Sequence, residues 1–147
     1  MGLDQYAYVA AKAGQQGEFY DGAQFDKKSG DYVNPNVTKP REIAYWRKHP
    51  NLHGWMEQLW ENKGRPGSAP DHPFDDGAMF NGVELELTAE DLDALERAVV
   101  HGQLPATQGF FFGDDADQHY REQDLDFIKN ARAELFFGLK VFYNSSW

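Results

Sequence analysis

The sequence predicts an α+β fold: a small antiparallel or mixed sheet of about four to five strands, with three helices packed mainly on one face. Two observations carry this expectation. Segments that alternate apolar and polar residues stand near both ends and in the middle of the 147 residues. Stripes of helical period lie between them. Clusters of glycine, proline and asparagine divide one segment from the next, and no internal repeat or low-complexity tail occurs.

Residues 3–12 open the series. Leu3, Gln5 and Ala7 alternate with Asp4, Tyr6 and Tyr8, the two-residue period of a strand. Over 13–40 the periodicity is lost and a long loop is expected, with a short hairpin from Phe25 to Tyr32 closed at Ser29-Gly30. Glu42 to Arg47 reads as a second strand. Pro50 suits the first turn of the helix that follows, where its missing N–H leaves no bond unmade. Leu52, Trp55, Met56, Leu59 and Trp60 then mark one buried helix face, which stops at Gly64. A second irregular loop is expected over about 64–80.

Val83 to Leu87 alternates apolar and acidic residues, the pattern of a strand with one wet face. Thr88 caps a helix that carries Leu92, Leu95 and Val99 on one side and ends at Gly102. The segment Gly109-Phe110-Phe111-Phe112-Gly113 reads as a short aromatic strand. Asp115 to Leu139 is the longest helix expected, with Leu125, Ile128, Arg132, Leu135 and Leu139 on one row and Phe127 and Ala131 beside it. Lys140 to Tyr143 is a last strand, expected to meet the first in the sheet. The whole of 1–147 reads as a single domain.

Composition narrows the chemistry. There is no cysteine, which excludes disulfides, thiolate metal sites and thiol catalysis and fits a reducing cytoplasm. No signal peptide and no membrane helix is expected, since no apolar run is long enough. The net charge of −10 repels phosphates, so direct nucleic-acid binding is not expected. An acidic mimic of nucleic acid needs a contiguous acidic face, whereas here the acids are interleaved with Lys and Arg. Aromatic residues make up 15% of the chain, enough for a bulky core, a sticky face, or both.

No serine lies in a Gly-x-Ser-x-Gly elbow, and no phosphate-binding glycine loop occurs. His49 and His53 are spaced i, i+4, and His119 lies among Asp114, Asp115, Asp117 and Asp124, but neither set completes a metal motif. No metal and no cofactor is expected. The richest cluster is Tyr45-Trp46-Arg47-Lys48 running into His53. It puts two cations at a strand end, against the start of a helix, with aromatic rings between them. A planar or phosphorylated molecule could stack on Trp46 or Tyr45 and pair with Arg47. Alternatively, Trp46 and Trp55 belong to the core and Arg47 and Lys48 balance surface acids. Phe111 or its two neighbours must point to the second face of their strand, where a helix or a partner would cover them.

Taken together, Met1-Gly2-Leu3-Asp4-x-Tyr6, Tyr45-Trp46-Arg47-Lys48, Leu52-His53-x-Trp55, Leu104-Pro105-x-Thr107-x-Gly109-Phe110-Phe111-Phe112-Gly113 and Ser145-Ser146-Trp147 resemble a family of small phage and prophage proteins of unsettled activity. The resemblance implies a phage accessory protein of the host cytoplasm and supplies no catalytic residue. Its partner would be a small anionic ligand or a host protein, and a homodimer is compatible with it. The expected binding residues are Tyr45, Trp46, Arg47, Lys48, His53, Thr107 and Phe111. The alternatives are a small acid–base enzyme using His53 or His119 with a carboxylate, and an acidic inhibitor that mimics nucleic acid.

Overall fold

The computed structural model describes residues 2–66, 80–105 and 116–147, apart from the side chains of 116–119. In chain order the elements are β1 (Asp4–Ala10), α1 (Gln15–Asp21), β2 (Gln24–Asp26), β3 (Asp31–Val33), β4 (Arg41–Arg47), α2 (Pro50–Asn62), β5 (Leu85–Leu87), α3 (Ala89–Val100), α4 (Ala116–Phe136) and β6 (Lys140–Ser146). The fold is α+β. Its main sheet is antiparallel, in the order β4-β1-β6-β5, and β2 and β3 form a separate hairpin. The first and last strands pair along their length, from Asp4 opposite Ser146 to Ala10 opposite Lys140.

Alternation sorts the sheet into two faces. Ala7, Val9, Trp46, Leu85, Leu87, Val141 and Tyr143 face the helices and share one core with Leu52, Met56 and Trp60 of α2, Leu92, Leu95 and Val99 of α3, and Phe127, Ile128 and Ala131 of α4. Tyr8, Ala10 and Phe142, with Tyr6 beside them, form a smaller cluster on the opposite face. Three helices therefore cover one face, as the periodicity predicts. In α4 the buried row is Asp124, Phe127, Ile128 and Ala131, turned from the expected one. Arg132 swings outward instead to pair with Asp93 and Glu96 of α3 at 2.7 Å each.

The expected loop over 13–40 is the main correction. The described residues hold a fourth helix there, α1, and the hairpin. Apolar periodicity did not announce α1, because its anchors are one aromatic and one amide. Phe19 is buried, and the Gln15 side chain accepts from Ala11 N–H at 2.8 Å and donates to the Thr38 carbonyl at 2.8 Å. The hairpin closes where Ser29-Gly30 predicts, with Gly30 at a left-handed φ of 72°. The expected loop over 64–80 and the Phe110–Phe112 strand fall largely or wholly outside the described residues.

Side chains cap carbonyls on both edges of the sheet. On β4 the outward carbonyls of Tyr45 and Arg47 accept hydrogen bonds from the Gln123 amide and the Tyr120 hydroxyl of α4. On β5 the Glu86 carbonyl accepts from Lys63 Nζ at 2.8 Å. Unpaired edge groups invite another strand, and these side chains occupy them.

Candidate functional site

Alternation along β4 splits the cluster that the sequence brings together. Trp46 points inward and is fully buried, its indole N–H donating to Asp124 Oδ1 at 2.9 Å. It presents no ring face to solvent, so the expected stacking of a ligand on Trp46 gives way to the core-packing alternative. Tyr45 points to the other face, where its hydroxyl donates to Asp4 Oδ1 at 2.7 Å. Arg47 and Lys48 are exposed. Lys48 takes a left-handed backbone conformation, φ 63°, and its N–H donates to the Leu3 carbonyl at 2.8 Å, which turns the chain from β4 into α2. His53 lies inside, stacked on Phe80 with ring centroids 5.1 Å apart. Thr107 and Phe111 lie outside the described residues. Among the expected binding residues, Tyr45, Arg47 and Lys48 are thus on the surface and Trp46 and His53 in the interior.

The interior group belongs to a buried polar network centred on Gln5. The Gln5 amide donates to the His49 carbonyl and to the Tyr143 hydroxyl, both at 2.9 Å, and its oxygen accepts from His49 N–H at 2.7 Å. Since Tyr143 accepts there, its own O–H is free to donate to His53 Nδ1 at 3.0 Å. Burial pushes His53 down to about 4, so the imidazole stays neutral and keeps that acceptor. Burial likewise raises Tyr143 well above the usual phenol range. His49 Nε2 stands 2.8 Å from Asp124 Oδ2, and the ring stacks on Tyr120 at 4.5 Å. A Gln placed among apolar residues of a strand, with a His at a helix start, was the sequence signal for this network.

The opposite face of the sheet holds a groove of about 710 Å³ lined by Tyr6, Tyr8, Gln16, Tyr20, Lys39, Pro40, Arg41 and Glu42. Its floor follows from β1: Tyr6 and Tyr8 are two apart, so both rings point away from the helices, with centroids 6.1 Å apart. Phe142 stacks on Tyr8 at 5.5 Å. Glu84 locks this floor to α1 by accepting from the Tyr8 hydroxyl at 2.5 Å and from Gly14 N–H at 2.8 Å. Burial first, then the Glu84 contact, raise Tyr8 far above the ordinary phenol value. Burial also raises Tyr6, whose hydroxyl meets the Gln16 side chain. One wall is α1, through Gln16 and Tyr20. The other is the Lys39-Pro40-Arg41 stretch leading into β4.

Of the expected residues that are described, Tyr45, Trp46, Arg47, Lys48 and His53, none lines this groove. Comparison with protein-family models, with curated proteins and with solved structures finds no match. Lys39 pairs with Asp31 at 2.5 Å, and Arg41 pairs with Glu134 of α4. Both cations are about half exposed, and such pairs are worth about 0–1 kcal/mol. A ligand anion can exchange into them at little cost. Among the described residues no group of three or more His, Asp or Glu could hold a metal ion.

Proposed function

We propose that this chain is a binding protein that takes a small planar molecule bearing one anionic group in the tyrosine-lined groove, and that it serves as a phage-type accessory factor. The observation that supports this is the coincidence of aromatic rings with two cations, Lys39 and Arg41, in a chain of net charge −10. The volume falls within the roughly 300–1,000 Å³ range of small-molecule sites. Tyr6 and Tyr20 offer ring surface, while Lys39 and Arg41 flank Pro40, whose fixed φ stiffens the stretch that carries them. The same net charge works against a polyanion, which has to approach through the field of the whole molecule. A monoanion or dianion pays far less.

A thermal-shift screen with phenyl phosphate, benzoate and nucleoside monophosphates tests the reading. At ten times its Kd a ligand contributes about 1.4 kcal/mol, a rise in Tm of roughly 3–6 °C at this size. Lys39→Met and Tyr20→Ala should each abolish most of that rise while leaving the unliganded Tm within about 2 °C. An unmoved Tm across the whole panel would refute it.

A second reading, a small acid–base enzyme, rests not on the expected His53, which meets the Tyr143 hydroxyl, or His119, whose side chain lies outside the described residues, but on the His49–Asp124 contact of 2.8 Å. Both side chains are sealed from solvent, at 0% and 1% exposure, so a substrate would need the core to open. The groove is the better supported site.

A further inference from the structure

The β2–β3 hairpin grips the groove at two of its lining residues. Asp31 holds the Lys39 ammonium at 2.5 Å, and Tyr32 meets Tyr20 edge-on with centroids 6.5 Å apart. Phe25 in turn packs edge-on against Tyr32 at 5.6 Å. The ribbon has little support of its own. Each strand is three residues long, and Phe25, Tyr32 and Val33 are 57%, 50% and 45% exposed. Two strands this short are marginal without packing partners. One further tie holds its far end, where Asn34 Nδ2 donates to the Phe19 carbonyl at 3.1 Å. A carboxylate followed by an aromatic ring thus sits at the rim of the groove, on the very cation and beside the very ring that a planar anion would use.

Granted the ligand reading of the groove, we propose that the hairpin is a built-in competitor: Asp31 occupies Lys39 in the free protein, and an incoming anion displaces it and shifts the hairpin. The contact with Lys39 also holds the Asp31 carboxyl below its ordinary range, consistent with a carboxylate that is already engaged. The competitor has a consequence for ligand class. A carboxylate ligand must displace its chemical equal. A phosphate monoester brings a charge of about −1.5 to −2 and three acceptor oxygens, so it competes with advantage. The groove is therefore set for aromatic phosphate monoesters over aromatic carboxylates.

The experiment measures phenyl phosphate and benzoate binding to the wild-type chain and to Asp31→Asn by calorimetry, with amide shifts of residues 31–33 followed by NMR. Asp31 is exposed and outside the core, so the variant should keep the wild-type fold, which the same spectra check. Expected are tighter binding of phenyl phosphate than of benzoate to the wild type, a gain of about two- to fivefold for both in Asp31→Asn, the range open to an exposed ion pair, and movement of the 31–33 amides when the wild type is saturated. Binding by Asp31→Asn alone would exceed anything an exposed ion pair can withhold, and would overturn the competition as stated. If the wild type binds and Asp31→Asn binds equally or more weakly, the competitor is overturned while the groove reading stands. Binding by neither protein overturns both.

Discussion

At the scale of single residues, two buried side chains make measurable commitments. His53 has its folded pKa lowered to about 4 by burial, against an ordinary value near 6.5. Between those values the unfolded chain binds the proton and the folded one does not. Stability is therefore full above about pH 6.5 and falls as the pH drops toward 4, by about 3 kcal/mol over the window. His53→Gln, which keeps a group able to meet Tyr143, should flatten the Tm-against-pH curve in that range. An unchanged slope would place the acid sensitivity elsewhere. Asp124 accepts from Trp46 and contacts His49 in the buried interior. Asp124→Ala strands both partners and should cost about 2–6 kcal/mol in urea unfolding, roughly 1–3 for each buried group left without its hydrogen bond. A loss under 1 kcal/mol would mean that water or a rearranged neighbour replaces the carboxylate.

At the scale of elements, α3 shows how far local chemistry can be read from sequence. Thr88 Oγ1 accepts from Asp91 N–H at 3.2 Å and the Asp91 carboxylate accepts from Thr88 N–H at 2.8 Å, a full capping box. Thr88→Ala should cost about 1 kcal/mol, seen as a Tm drop of roughly 2–4 °C. Asp91 also holds Lys63 at 2.5 Å, so Asp91→Ala should cost more. The strand edges make a different prediction. Removing both caps of β4, with Gln123→Ala and Tyr120→Phe together, exposes two carbonyls and should raise the sedimenting mass at high concentration relative to the wild type. Strands β1 and β4, helix α2 and the Thr88 cap were legible because period, proline and cap residues act within a few positions of one another. Helix α1 was not, since its seven residues are held by Gln15 bonds to Ala11 and Thr38 rather than by an apolar stripe. The groove was half legible. Tyr6 and Tyr8 stand on the face of β1 opposite Ala7, but nothing local says that Lys39 and Arg41 will come to lie beside them. The Tyr45–His53 cluster divides between surface and interior for the converse reason. Neighbours in sequence on a strand are strangers in space.

At the scale of the whole molecule, the sheet is closed by contacts that span nearly its full length. Gln5 and Tyr143, bonded through the Gln5 amide, are 138 residues apart. Strands β1 and β6 are the two inner members of the order β4-β1-β6-β5, so neither β5 nor the core face is complete until both are in place. Contacts of such separation slow folding, and refolding from urea should take milliseconds to seconds, well outside the microsecond range of helical bundles. A ribosome delivers the chain in one direction only. When β4 emerges it can pair with β1 at once, but the position on the other side of β1 stays open throughout the synthesis of α2, α3 and α4. For that interval the nascent chain carries a tyrosine-rich strand with one unfilled flank. The waiting partner, β6, follows α4 in the chain, so that flank is filled only after all three core helices have been made.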